Sequence, residues 1–266
     1  YCLTLPDALV GVRFFFVPDF SEINSFSDFM HILFSAMGQV FFSLSLGMGT
    51  LITYGSYLPK DNNLASSTVT IVALDTVIAI ISGLTILPAV FSFGFEPTEG
   101  FGLIFKTLPA VFSQMNGGTV VASIFFILVL FAALTSSISL LEVIVSWVCS
   151  KTKLTRVWAA VFVTLLIFII GIFSSLSVGA IPDIKLGNMS LFEFCSFFSD
   201  KIIMPLGGFF ICILTGYVWG IDKAAAEISN NGKLKFALKK LFSVTVKYIA
   251  PALIAVIFIS SVVSLF

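Results

Sequence analysis

Six stretches of this chain are apolar over enough consecutive positions to cross a bilayer, and polar or charged clusters part them. They run approximately 33–58, 66–93, 119–149, 156–178, 201–221 and 246–266. A hydrocarbon core of roughly 30 Å takes about 20 mostly apolar residues in a helix, so each is read as a transmembrane helix. The first is not uniform. Ser43-Leu44-Ser45-Leu46-Gly47-Met48-Gly49 interrupts the apolar run from Leu33 to Leu58. Lipid offers a loosened backbone no hydrogen-bond partners, so a helix breaks at membrane depth only where its freed groups face protein, water or an ion. Clustered Ser and Gly in mid-span therefore mark either two half-helices meeting at a binding site or close packing between helices.

The connections carry patterns of their own. Leu5 to Met30, with Pro6, Asp7, Pro18, Asp19, Glu22 and Asp28, reads as an outside loop holding short helical pieces. Pro59-Lys60-Asp61-Asn62-Asn63 makes a short turn, and Pro88 sits near the far end of the second span, where a kink is tolerable. Gly94 to Gly118 is too apolar for an ordinary loop. Helical turns at Phe101 to Phe105 and Leu108 to Phe112 would make it a hairpin lid over about 97–116, or an interfacial helix lying on the membrane. The third span exceeds what a bilayer needs and must tilt or project; its middle holds Thr135-Ser136-Ser137-Ile138-Ser139. In the fifth, Pro205 with Gly207-Gly208 reads as a bend.

Composition agrees with this layout. The 266 residues are 58% hydrophobic and 11% charged, against about a quarter charged in soluble domains, and the mean hydropathy is +1.11. The expected class is an all-α, polytopic, integral membrane protein read as one membrane domain, 1–266. A net charge of zero hides an asymmetry. With the amino end outside, ten Lys and Arg fall inside, including Lys233, Lys235, Lys239, Lys240 and Lys247, and four outside, as the positive-inside rule requires. The Lys233–Lys247 cluster reads as an inside loop, solvated or lipid-facing, not as a nucleic-acid site. Cys2, Cys149, Cys195 and Cys212 have no ligand spacing and His31 reads as interfacial, so neither a metal centre nor a disulfide framework is indicated. The chain opens at Tyr1-Cys2-Leu3 without an initiator Met or signal peptide, and is expected to be the later portion of a longer protein.

Ionisable residues at membrane depth are costly, which makes them functional candidates. Asp75, about ten residues into the second span, and Glu142, in the inner half of the third, are the clear ones. No Lys or Arg lies deep in a span, so a cation, a polar network or a proton is their expected partner. Hydroxyl and carbonyl oxygens suit a small hard cation such as Na⁺ by the oxygen-ligand logic of Ca²⁺ and Mg²⁺, and Ser43, Thr135 and Ser136 supply them. Thr135, Ser139 and Glu142 follow i, i+4, i+7 and share one helix face; back-bonding to the preceding turn is the alternative use of such hydroxyls. The chain has no GxSxG, HExxH or phosphate loop, and its one histidine is His31, so an enzyme is not expected.

These residues carry a resemblance. Leu3-Thr-Leu-Pro6 with Pro18-Asp-Phe20, Gly38-Gln-Val-Phe-Phe-Ser-Leu-Ser-Leu-Gly-Met-Gly49, Thr53-Tyr-Gly-Ser-Tyr57, Leu108-Pro-Ala-Val-Phe112 and Ala132-Ala-Leu-Thr-Ser-Ser-Ile138 fall in the order found in bacterial neurotransmitter:sodium symporters. The chain resembles the later half of such a transporter, closely over its first half and by span pattern beyond. The resemblance implies a partial inverted-repeat transporter fold, with the six spans as helices six to eleven, the first broken mid-span. It implies an amino-acid substrate facing Phe42, Ser43, Ser45, Met48, Ser136 and Leu140. Ser43 and Asp75 would ligate one Na⁺, and the Ala132 carbonyl, Thr135 and Ser136 a second, with no other cofactor. Many members carry Asn where this chain carries Asp75; a fixed carboxylate there would replace the chloride of chloride-dependent relatives. The 97–116 hairpin becomes the outer lid, Asp200 a candidate for the outer gate and Glu142 a structural hydrogen-bonding group.

The function so implied is sodium-coupled amino-acid symport by alternating access at a bacterial inner membrane, completed by amino-terminal helices of the same protein. A non-transporting fragment, and a same-fold sodium symporter for another small solute, are the alternatives. The 266 residues alone are expected not to transport.

Overall fold

Long apolar runs without charge leave an α-helix as the one local structure that satisfies its own backbone in lipid, and helices dominate the chain. The computed structural model describes residues 2–21, 23–95, 97, 100, 102–179, 181, 185, 186 and 189–263, the last three by backbone alone. In order, the helices are α1 (Ala8–Phe16), α2 (Phe26–Ser43), α3 (Thr50–Tyr57), α4 (Leu64–Ser92), α5 (Leu108–Gln114), α6 (Gly118–Lys151) and α7 (Arg156–Val178). A two-residue hairpin, β1 (Lys185–Leu186) and β2 (Met189–Ser190), leads to α8 (Leu191–Phe197), α9 (Met204–Ile213), α10 (Ile221–Ile228), α11 (Lys239–Val244) and α12 (Ala250–Val263).

Among the described residues, five helical runs are long and apolar enough to cross a membrane: Leu64–Ser92, Gly118–Lys151, Arg156–Val178, Leu191–Ile228 and Lys239–Ser260. The first expected span is α2 and α3, parted by six non-helical residues, Leu44 to Gly49. Several bounds differ from the hydropathy reading. The run expected from 201 starts at Leu191, because Ser190 and Glu193 form a capping box in which each side chain accepts the other's backbone N–H. Asp200 and Lys201 consequently sit within helical turns rather than before them. Pro205 is absorbed without a break: the preceding Phe198–Ile203 turns are π-helical, and their wider ring relieves the clash a proline makes with the carbonyl four residues back.

By internal contact the chain forms two compact units, Tyr1–Phe29 with Val69–Ser136 and Met30–Thr68 with Ser137–Phe266. In the first unit α1 lies on the end of α4. A Cβ at Gly11 would stand 2.6 Å from the Pro88 backbone, so only glycine fits, and Phe14 packs on Phe91 with ring centroids 5.2 Å apart. Val90, Leu108, Val111 and Met115 bury the α5 segment against α4. Of the lid expected over 97–116, residues 98, 99 and 101 lie outside the described ones; the rest is helical from Gly102 to Gln114. The end of the sixth expected span, 264–266, also lies outside them. In the second unit α12 packs along α9.

Candidate functional site

The break between α2 and α3 is an ordered turn. The Leu46 N–H donates to the Phe41 carbonyl at 2.9 Å and the Ser45 N–H to the Phe42 carbonyl at 3.1 Å, the paired bonds of a Schellman cap. That cap needs a left-handed residue, and Ser45 takes it with φ 52°. Glycine would normally stand there; a side chain costs roughly 1–2 kcal/mol. Gly47 and Gly49 follow with φ 80° and 81° before α3 begins at Thr50. The chain therefore stops one helix and starts another within six residues, leaving carbonyls at the end of α2 and N–H groups at the start of α3 without helical partners.

What holds the break is the face of α9. A Cβ on Gly47 would collide with the Met204 carbonyl oxygen and lie 3.0 Å from the Gly208 nitrogen, and a Cβ on Gly207 would collide with the Gly47 carbonyl. The two backbones touch. Gly207-Gly208, expected with Pro205 as a bend, seat the interruption in the structure, a role that spacing within one segment does not disclose.

Below the break α3 runs along α6. The Tyr54 hydroxyl donates to Ser139 Oγ at 3.0 Å and the Tyr57 hydroxyl to Glu142 Oε1 at 2.5 Å, and Arg156 at the head of α7 donates to Glu142 Oε2 at 2.7 Å. Residue numbers rise together along both helices, so they are parallel. The expectation that Glu142 lacks a basic partner is corrected here. Arg156 is the first residue of α7 and reaches back to a carboxylate only 15% exposed. Equal i, i+3 spacing of Tyr54/Tyr57 and Ser139/Glu142 was the signal available for this pairing. Ser139 and Glu142 thus bind α3.

The expected site residues fall as follows. Phe42 and Ser43 end α2, exposed; Ser45 and Met48 lie half-buried in the break; Leu140 is exposed on α6. All five belong to the second unit. Asp75, half-buried on α4, and Ala132, Thr135 and Ser136 on α6 belong to the first. Ser43 and Asp75, the expected ligands of one Na⁺, are therefore in different units. The Thr135 hydroxyl donates to the carbonyls of Ala132 at 2.9 Å and Phe131 at 3.1 Å. This is the back-bonded use weighed above, and it also sets two of the oxygens expected at the second Na⁺ side by side. A hydroxyl that spends its proton on the main chain keeps lone pairs for a cation.

Two clefts adjoin the break within the second unit. One, of about 450 Å³, is lined by His31, Gln39, Phe42, Asp200 and Lys201. The other, about 380 Å³ and apolar, reaches from Phe41 and Gly47 to Cys212 and Leu253. Asp200 accepts from the Ser196 hydroxyl at 3.1 Å. Thr50, at the first turn of α3, is buried, and its hydroxyl has no hydrogen-bond partner among the described residues.

Known proteins share this architecture and sequence. The chain is 37% identical over 97% of its length to an uncharacterized sodium-dependent transporter of Bacillus subtilis (strain 168), of which it covers 56%. It is 38% identical over 97% to another of Haemophilus influenzae, covering 55%. The chain thus spans about half the length of the curated relatives it matches. The crystal structure of MhsT in complex with L-phenylalanine superposes with a TM-score of 0.86 at 39% identity, over 98% of this chain and 58% of that one. The model of the sodium:neurotransmitter symporter family matches residues 1–266. A multi-pass helical fold broken at a Ser/Gly run, matched from first residue to last by one family of secondary transporters, places the chain in the sodium:neurotransmitter symporter family.

Proposed function

We propose that the protein carrying this chain is a sodium-coupled amino-acid symporter of the bacterial inner membrane. The interruption at Leu44 to Gly49 carries this reading. It sets the carbonyl end of α2 and the N–H end of α3 on either side of a non-helical turn, the two polarities that a zwitterion's ammonium and carboxylate would meet. Phe42, Met48 and Leu140 would shape an apolar side-chain pocket, with Ser43, Ser45 and Ser136 polar contacts beside it. The neighbouring structure is that of MhsT with L-phenylalanine, which favours an apolar or aromatic amino acid over another solute.

Sodium would be the coupling ion, as the family description implies. Ser43 with Asp75 would form one site, and the Ala132 carbonyl, Thr135 and Ser136 the other. The amino end would lie outside, the α5 segment would be the outer lid and Asp200 would line the outer cleft. Helices that the relatives possess beyond the matched region would complete the site.

Uptake of labelled phenylalanine by the intact protein in proteoliposomes tests this. We expect uptake to fall at least ten-fold when sodium is replaced by N-methylglucamine, and in Ser43→Ala and Asp75→Ala. Uptake indifferent to sodium would sink the proposal; sodium-driven uptake of a solute other than an amino acid would favour the same fold with a different substrate.

A further inference from the structure

The segment from Asp222 to Lys247 contains six lysines against two acids, Asp222 and Glu227, and none of the transport reading uses them. Asp222 is already taken: Lys239 Nζ lies 2.7 Å from its Oδ1. Lys247 lies over the Tyr217 ring, 5.8 Å from its centroid, while the Tyr217 hydroxyl donates to the Lys247 carbonyl at 2.9 Å. Lys233, Lys235 and Lys240 are exposed and make no salt bridge among the described residues.

Their surroundings say what meets them. Leu238, Leu241, Val244 and Tyr248 follow one another at intervals of three, three and four residues, and are 61%, 58%, 48% and 63% exposed. That spacing makes one outward apolar stripe, continuous with the apolar run Lys239–Ser260. Trp219 and Tyr217, 45% and 54% exposed, supply amphipathic rings at the same end. The loop is also fixed. Asn230 Nδ2 donates to the Asp61 carbonyl at 3.0 Å, and Asn230, Asn231 and Gly232 take successive left-handed conformations that turn the chain. A held loop with three lysines outside any salt bridge among the described residues thus adjoins an apolar stripe that continues into a helical run long and apolar enough to cross a membrane.

We propose that this surface binds anionic phospholipid, with Lys233, Lys235 and Lys240 on the headgroup phosphates and the Leu238–Tyr248 stripe against the acyl chains. Water alone would leave the stripe exposed, and a soluble anion would make no use of it. Each lysine near an anionic surface strengthens attraction by roughly five-fold.

The test uses Trp219 as reporter, in the intact protein with every other tryptophan replaced by phenylalanine. Its quenching is compared in bilayers of brominated phosphatidylglycerol and brominated phosphatidylcholine. We expect a preference of roughly five-fold or more for the anionic lipid. It should be close to one-fold in K233Q/K235Q/K240Q, be retained in K233R/K235R/K240R, and weaken in 1 M salt, where the screening length is about 3 Å. Equal quenching by the two lipids in the parent protein would overturn the proposal, as would a preference unchanged in the Gln variant. Loss of the preference on adding 10 mM inorganic phosphate at fixed ionic strength would also overturn it, since that marks a soluble-anion site. The Arg variant and the melting temperature of each protein separate loss of charge from misfolding.

Discussion

Gly47→Ala is the sharpest test of how the helix break is held. Two independent costs converge on this position. Its φ of 80° lies in the left-handed region, where an L-residue other than glycine loses about 1 kcal/mol or more. Its added Cβ would also meet the Met204 carbonyl oxygen and stand 3.0 Å from the Gly208 nitrogen, both main-chain atoms of α9 that no rotamer change can move aside. Overpacking of that kind costs about 1–3 kcal/mol. The sum is about 2–4 kcal/mol, and at roughly 2–4 °C per kcal/mol for a chain of this size the melting temperature should fall by about 4–16 °C. Gly207→Ala separates the two costs. It makes the reciprocal collision with the Gly47 carbonyl but sits in a helix, where Ala is favoured over Gly by about 1 kcal/mol. Its net cost should be about 0–2 kcal/mol. Thermal unfolding followed by circular dichroism in detergent reads both variants. A Gly47→Ala protein melting within 1 °C of the parent, or one less affected than Gly207→Ala, would show that α9 does not hold the break.

Other outcomes follow from the same geometry. Glu142→Ala removes the acceptor for both Tyr57 and Arg156 and should cost about 1–2 kcal/mol; Arg156→Ala, on a side chain 68% exposed, should cost under about 1 kcal/mol. Melting curves in which the arginine variant is the more damaged would contradict that order. Thr50→Val replaces a buried hydroxyl that has no partner among the described residues and should raise stability by about 1 kcal/mol; destabilisation beyond that amount would mean the hydroxyl is engaged. A carboxylate at Asp75 predicts that uptake survives replacement of chloride by gluconate, and a large loss of transport would refute the charge argument. In the same assay, Thr135→Val should raise the sodium concentration for half-maximal uptake, and an unchanged sodium dependence would remove Thr135 from the second ion site.

The sequence by itself determined the membrane class, the run of long helices and the place where one breaks. These are properties of consecutive residues: apolar length fixes a helix in lipid, and Gly47 and Gly49 supply left-handed backbone without the cost a side chain adds there. Family motifs were equally readable, being local strings. Tertiary structure alone decided what each interruption touches. Gly207-Gly208 read as a bend because no local rule connects them to Gly47, about 160 residues earlier in the chain. Glu142 reads as a hydrogen-bonding group without a basic partner because Tyr57 and Arg156, which it accepts from, lie on other helices. Contacts between helices depend on which faces meet, and periodicity within one helix does not carry that information.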